Sequence, residues 1–80
     1  MTARVKLIWD FRGPNAHPIA VHHAKHLDEF AGAEGIPNAQ TGIETLSDMH
    51  TIAFLIVPWE LMESLRSRLK PNRGQKVTET

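Results

Sequence analysis

The sequence predicts an α+β domain, because two of its segments have the apolar spacing of strands and two have the spacing of helices. Apolar side chains alternate with others over residues 4–11 and run almost unbroken over residues 50–57, which is typical of strands. They recur every three or four residues after Pro18 and again after Pro58, which is typical of helices. Eighty residues without cysteine indicate one domain that has no disulfide framework.

The first strand and the first helix are predicted on either side of a short turn. Residues 4–11 form the strand, and its strongly apolar face consists of Val5, Leu7, Trp9 and Phe11. A Gly-Pro pair marks the turn, and Pro18 suits the first turn of a helix because its missing N–H is not needed there. Asn15 is the favoured capping residue. The helix is expected to end within residues 32–35, which begin and end with glycine.

A hairpin and a second helix are predicted for the rest of the chain. Residues 39–46 form the weaker strand and residues 50–57 the stronger one, with the turn between them at Ser47-Asp48. The stronger strand is apolar on both faces, as expected of a central strand. Pro58 is expected to start the helix, whose buried stripe consists of Leu61, Met62, Leu65 and Leu69.

The predicted element order is strand, helix, strand, strand, helix, which is the split βαβ pattern of ferredoxin-like domains. Right-handed crossovers would place both helices on one face of an antiparallel sheet. This single domain is expected to cover residues 1–72, and residues 73–80 form either a polar tail or a short fourth strand at the sheet edge. The pattern predicts architecture alone, because it contains no functional motif.

One face of this sheet would have no helix over it. We expect the helices to cover the face formed by Val5, Leu7, Trp9, Phe11, Ile52, Phe54 and Ile56. The open face would then present Ile8, Ala53, Leu55 and Val57. Burying roughly 400 Å² of such a patch would contribute about 10 kcal/mol before the cost of association. The sequence therefore predicts a homodimer with its sheets packed face to face, unless the tail or a loop covers this face.

Composition and charge exclude several classes of function. The formal net charge is zero, so no global field favours nucleic acid or a membrane surface. The basic cluster near the C-terminus lacks interleaved aromatic residues and is explained by the dipole of the second helix. No signal-peptide pattern or membrane-spanning run is present, and we expect a cytoplasmic protein. Without cysteine, thiolate catalysis, cysteine-bound zinc and iron–sulfur clusters are excluded.

Histidines are concentrated in and before the first helix, where four of the five lie within residues 17–26. His22 and His26 are one helical turn apart and Glu29 follows on the same side, a spacing that could bind a divalent metal ion. The alternative interpretation is a solvated polar helix face. His23 lies at the edge of the apolar stripe, where a structural histidine with one hydrogen bond is favoured over a ligand or a base.

The turn between the first strand and the first helix is the predicted ligand site. Free backbone N–H groups at a helix N-terminus, together with the helix dipole, attract anions. Arg12 and His17 would add side-chain donors, and Gly13 would allow close backbone approach. The predicted ligand-binding residues are therefore Arg12, Gly13, Asn15 and His17. The alternative is an ordinary turn, in which Asn15 caps the helix and Arg12 pairs with Asp10.

Three functions are compatible with these patterns. The leading hypothesis is a non-enzymatic, dimeric binding module that holds a small anion or metabolite at the first strand–helix turn. The second is a divalent-metal-binding protein that uses His22, His26 and Glu29. The third is a small acid–base enzyme, for which the candidate groups are Asp10, His17, His22 and His23. No spacing identifies a catalytic pair, and nothing in the sequence places His50 near the first helix.

Overall fold

The computed structural model describes residues 2–79, which form four strands, two α-helices and one 3-10 turn. Residue 1, the first of the predicted domain (1–72), and residue 80, the last of the predicted tail or strand (73–80), lie outside the described residues. In chain order the elements are β1 (Thr2–Arg12), α1 (Ala16–Glu34), β2 (Gln40–Ser47), β3 (His50–Pro58), the 3-10 turn (Trp59–Leu61), α2 (Met62–Leu69) and β4 (Arg73–Glu79).

The four strands form one antiparallel sheet in the order β2-β3-β1-β4. Two helices and an antiparallel sheet confirm the predicted α+β class. For the C-terminal segment the sequence allows either a tail or a strand. The segment forms β4, which pairs with β1 from Thr2↔Glu79 to Ile8↔Arg73. β1 therefore lies between β3 and β4, and the start of β4 is brought beside the middle of β1.

The helix boundaries follow local backbone chemistry. α1 ends at Glu34 and is capped by Gly35, which adopts the left-handed conformation (φ 64°) and donates its N–H to the carbonyls of Ala31 and Gly32. α2 begins later than predicted, because Pro58 has an extended ψ of 143° and still belongs to β3. The 3-10 turn fills the gap. None of the helices within residues 2–79 combines the length and the apolarity that a membrane span requires.

The hydrophobic core lies between the sheet and the two helices. β1 contributes Val5, Leu7 and Trp9, each at most 6% exposed. Both helices pack into this same cluster through Ala20, Leu27, Ala31 and Leu65, so both lie on one face of the sheet. The indole Nε1–H of Trp9 donates to the carbonyl of Leu69 over 3.2 Å, which ties the centre of the sheet to the end of α2.

The buried face and the open face of β3 are the reverse of those predicted. Ala53, Leu55 and Val57 were expected on the open face with Ile8, but all three are fully buried in the core. Directly paired residues share a face, and Ala53, Leu55 and Val57 pair with the core residues Trp9, Leu7 and Val5. Because β3 is apolar on both faces, its own sequence does not reveal which set is buried, and a one-residue shift reverses the answer.

The open face therefore carries Ile8, Ile52, Phe54 and Ile56, and its own side chains cover much of it. Ile8 and Ile52 are each only 3% exposed. The ring of Phe54 lies over Gly42, and Lys6 Nζ lies 4.5 Å from the centre of that ring and 3.5 Å from Glu44 Oε1. The exposed apolar patch on which the predicted homodimer was based is thus reduced. Dimerisation stays a prediction.

Position 42 is expected to tolerate only glycine without a loss of stability, because the ring of Phe54 lies over it. A Cβ atom at position 42 would lie 2.8 Å from Phe54 Cζ, so the ring would have to shift. We expect Gly42→Ala to destabilise the fold by about 1–3 kcal/mol, as overpacking does, and to lower the Tm by at least about 4 °C in a chain of this size.

Gly32→Ala is the matched control for Gly42→Ala, measured in the same thermal unfolding experiment. Its Cβ would meet nothing within 4 Å, and position 32 is helical. This variant should be neutral or up to about 1 kcal/mol more stable. Equal Tm values for Gly42→Ala and the wild type would contradict the packing of Phe54 on β2.

Candidate functional site

Four polar residues meet near the end of β1 and are called the Asp10 cluster: Asp10, His50 and Arg73 on the open face of the sheet, and Asn72 beside the backbone of β1. His50 Nε2 lies 2.7 Å from Asp10 Oδ1. The guanidinium of Arg73 donates to both carboxylate oxygens, from Nη2 to Oδ1 over 3.1 Å and from Nε to Oδ2 over 3.2 Å. The side chains of Asp10 and His50 are only 17% and 16% exposed. The cluster is therefore a partly desolvated carboxylate held by two basic groups.

Strand register assembles this cluster from distant parts of the chain. Asp10 belongs to the open-face set of β1, because its neighbours Trp9 and Phe11 point into the core. Asn72 extends the pairing beyond β4: its N–H donates to the carbonyl of Ile8 over 2.9 Å, and its Oδ1 accepts the N–H of Asp10 over 2.8 Å. Arg73, the first residue of β4, is thereby directed at the carboxylate.

The electrostatics of the cluster favour the ionised carboxylate. Burial raises the pKa of Asp10, but the hydrogen bonds and charges of Arg73 and His50 outweigh burial and hold this pKa below its ordinary value. Asp10 is therefore charged at neutral pH. Its two oxygens act only as acceptors in that state.

The charge of Asp10 determines the protonation pattern of His50. An ionised carboxylate cannot donate, so Nε2 of His50 must carry the proton in their shared hydrogen bond. In the neutral ring the basic lone pair is then on Nδ1, which has no hydrogen-bond partner among the described residues. A carboxylate behind an imidazole fixes the orientation and the tautomer of the ring. The arrangement can accept a proton at Nδ1 or, once protonated, donate one from there.

Arg12 lies directly across from His50 in the ladder between β1 and β3. Both side chains project from the open face, with Cβ atoms about 5 Å apart. The Arg12 side chain is exposed and forms no ion pair with any described residue, so the predicted pairing with Asp10 is replaced by that of Arg73. Arg12 is the one predicted ligand-binding residue that the structure brings beside the Asp10 cluster.

The other predicted ligand-binding residues offer few free donors. Gly13, with φ 106°, donates its N–H to the carbonyl of Met49 over 2.7 Å, which closes the turn onto the β2–β3 hairpin. At the start of α1, Ala16 donates to Gly13 and Ile19 donates to Asn15. Pro18 has no N–H. Three of the first four helical residues are therefore unable to hold an anion through a backbone N–H.

The side chains at this helix start are solvent-exposed. Asn15 occupies the capping position, as predicted, but forms no side-chain capping hydrogen bond. Its backbone carbonyl accepts the N–H of Ile19 instead. His17 is exposed and has no partner among the described residues. The anion site predicted at the helix N-terminus thus retains Arg12 and has no further support from this turn.

The three residues of the predicted metal site do not converge on one point. Nε2 of His22 lies 3.0 Å from Nε2 of His26, as their spacing of four residues predicts. Glu29 Oε1 instead lies 3.5 Å from the other ring nitrogen of His26, Nδ1. All three side chains are exposed. Within residues 2–79 no group of three or more His, Asp or Glu side chains is arranged to hold a metal ion.

His23 is a structural residue without its predicted hydrogen bond. Its ring centre lies 5.0 Å from that of Trp9 and 5.4 Å from that of Phe11, in tilted and edge-on contacts. Its Nε2 is buried and has no hydrogen-bond partner among the described residues. Burial, followed by the charges of His26 and His22, lowers the pKa of His23. The ring therefore packs as a neutral aromatic group and does not contact the Asp10 cluster.

Sequence reasoning missed most of the Asp10 cluster. His50 and Arg73 are separated from Asp10 by 40 and 63 positions, so no local motif connects them. Antiparallel pairing of the two best strands could have suggested the contact of Asp10 with His50, because these residues lie near the end of one strand and the start of the other. The sequence predicts Asn72 as the last residue of the domain and Arg73 as the first residue of a tail or edge strand, and it gives neither a role in a site.

A comparison of the chain with protein-family models, curated proteins and solved structures finds no match. The function of the chain must therefore be inferred from the geometry of its own residues.

The ionised Asp10 should stabilise the fold in a pH-dependent way. A carboxyl group whose pKa is lower in the folded state contributes stability above its unfolded pKa of about 4, and this contribution is lost as the pH falls further. We expect Asp10→Asn to lose about 1–3 kcal/mol at neutral pH, because Arg73 and His50 lose a charged acceptor. Below about pH 3 the gap to the wild type should narrow.

Urea unfolding across a pH series measures this effect, and Asp28→Asn is the control. Asp28 is an exposed carboxylate that accepts a 3.4 Å hydrogen bond from the hydroxyl of Thr41. Asp28→Asn should shift the curve little and evenly. If the curves of Asp10→Asn and the wild type run parallel down to the acid range, Asp10 is not held ionised by its neighbours.

Proposed function

We propose that this chain is a ferredoxin-like binding module that holds a small anion at the end of the open sheet face, between Arg12 and His50. The element order β-α-β-β-α-β supports the ferredoxin-like assignment. So do the central positions of β1 and β3 and the placement of both helices on one face. The ligand would be a carboxylate or a phosphate group.

The observation that carries this proposal is that Arg12 lies across the strand ladder from His50, a histidine that Asp10 orients. Arg12 has no acidic partner among the described residues, so its guanidinium fork can bind two oxygens of one anion. His50 is held by Asp10 through Nε2, which leaves Nδ1 to contact the ligand. The charges of Asp10 and Arg73 offset one another. The remaining local charge is positive, and it increases when His50 is protonated.

Anion binding at this site would be coupled to proton uptake. A neutral His50 presents a lone pair at Nδ1, which repels an anionic oxygen. A protonated His50 presents an N–H donor there instead. The anion and the proton therefore favour each other's binding, and affinity should rise as the pH falls. This coupling distinguishes the site from an exposed arginine alone.

The test is a residue-resolved NMR titration with acetate, whose charge is the same at about pH 6 and about pH 8. We expect the backbone amides around Arg12 and His50 to shift, with tighter binding at the lower pH. Arg12→Gln should weaken binding about tenfold at both pH values, since a charged hydrogen-bond donor is lost. His50→Gln should abolish the pH dependence and retain the contribution of Arg12.

Lys25→Gln controls for the loss of one positive charge, because Lys25 is an exposed residue on α1, away from the open face. Its affinity for acetate should equal that of the wild type. The proposal is overturned if Arg12→Gln binds acetate as tightly as Lys25→Gln does. It is also overturned if the pH dependence survives in His50→Gln.

A small acid–base enzyme is a second candidate, favoured by the 2.7 Å hydrogen bond between Asp10 and His50. A histidine oriented by a carboxylate is a common general base. Arg12 would then position an anionic substrate over Nδ1. The histidines suggested by the sequence for this role, His17, His22 and His23, have no contact with Asp10 among the described residues.

The tautomer of His50 tests the basis of this second candidate. Long-range ¹H–¹⁵N correlation spectra at neutral pH should show the proton on Nε2 of His50. In Asp10→Asn the ring should lose this strong preference, because the amide oxygen is a weaker acceptor. A proton on Nδ1 in the wild type would remove the base at the open side of the ring and would exclude this mechanism.

A further inference from the structure

A cleft of about 170 Å³ opens on the helix side of the sheet, between α2 and β4, and is called the α2–β4 cleft. It is lined by Val5, Leu7, Trp59, Met62, Arg66, Gly74 and Lys76. The Asp10 cluster lies on the opposite face of the sheet. The cleft is therefore a separate feature from the anion site proposed above.

The cleft exists because α2 is short and one position of β4 lacks a side chain. α2 has eight residues and follows a 3-10 turn, so it covers only part of this side of the sheet. Gly74 pairs with Leu7, and Lys76 pairs with Val5, which places both on the helix face of β4. Because Gly74 has no side chain, the space between β4 and α2 stays open.

The walls of the cleft are apolar, and the residues of its floor are not accessible to water. Val5 and Leu7 form the floor and are 2% and 0% exposed. The accessible walls are Trp59, which is 37% exposed, the half-buried Met62 and the stems of the two basic residues. Lys76 Nζ lies 5.2 Å from the centre of the Trp59 indole ring. An apolar group that enters the cleft would contact an indole, a thioether and aliphatic carbon.

Two positive charges stand at the rim without acidic partners. Arg66 and Lys76 form no ion pair with any described residue. This differs from Arg68 on the same helix, which pairs with Glu34 over 3.0 Å. It also differs from Arg73 on the same strand, which pairs with Asp10. The charges that face the cleft are thus available to a ligand.

We propose that the α2–β4 cleft binds a small monocarboxylate whose apolar body is about the size of one aromatic ring. A dry cavity of roughly 150 Å³ is large enough for benzene, which sets the size of the body. The carboxylate would lie at the rim, where Arg66 can donate in parallel to both oxygens and Lys76 can supply a second positive charge. The volume of the cleft limits the apolar body that can enter it.

Benzoate is the probe for this proposal, measured by NMR titration of the methyl groups of Val5, Leu7 and Met62 and the indole of Trp59. Acetate tests the need for an apolar body, and benzamide tests the need for charge. We expect benzoate to bind at this site at least about tenfold more tightly than either, because each analogue lacks one of the two interactions.

Three variants locate the binding site. Gly74→Val should abolish benzoate binding by filling the cleft, and it should fold, because a Cβ there would lie 3.6 Å from Val5 and 3.8 Å from Leu7 in ordinary contact. Arg66→Gln and Lys76→Gln should each weaken benzoate binding about three- to tenfold. Lys25→Gln and Arg12→Gln should leave it unchanged, which separates this site from the Arg12–His50 site.

Two results would overturn the proposal. One is equal binding of benzoate and acetate at the cleft residues, which would indicate screening of surface charge only. The other is unchanged benzoate affinity in Gly74→Val, with the variant shown to be folded by its dispersed NMR spectrum. Tight, charge-dependent benzoate binding that Gly74→Val abolishes supports it.

Discussion

The structure depends on the antiparallel pairing of β1 with two strands at once. β3 pairs with β1 from Arg4 to Arg12 on one side, and β4 pairs with it from Thr2 to Ile8 on the other. Its alternation sends Val5, Leu7 and Trp9 into the core and sends Asp10 and Arg12 to the open face. The same strand therefore supplies the floor of the core and the polar residues of the candidate site, and neither can shift in register without the other.

β4 contributes residues to both candidate sites. Its first residue, Arg73, crosses to the open face and holds Asp10, while Gly74 and Lys76 lie on the helix face beside α2. An edge strand pairs on one side only, so its stability depends strongly on such anchors. Asn72 and Arg73 supply them, through hydrogen bonds to the backbone and the side chain of β1. The Asp10 cluster is thus structural as well as a candidate site.

The sequence predicted what local periodicity encodes and failed where the answer depends on pairing. The apolar alternation of β1 correctly identified its buried face, because its other positions are mostly polar. β3 is apolar at almost every position, so its sequence predicts the wrong face for Leu55. The pairing of Leu55 with the core residue Leu7 determines its actual face. The candidate site shows the same limit: Arg12 could be proposed from the turn chemistry around it, whereas His50 reaches Asp10 only through the register of two strands.

A chain of zero net charge can still present positive sites, because its charges are not paired evenly over the surface. Asp10 is held by Arg73, Glu44 by Lys6 and Glu34 by Arg68. Five basic residues have no acidic partner among the described residues: Arg12, Lys25, Arg66, Lys70 and Lys76. Of these, Arg12 stands beside an oriented histidine on the open face, and Arg66 and Lys76 stand beside an apolar cleft on the helix face. Local pairing, and not the total charge, therefore determines where this protein would attract an anionic ligand.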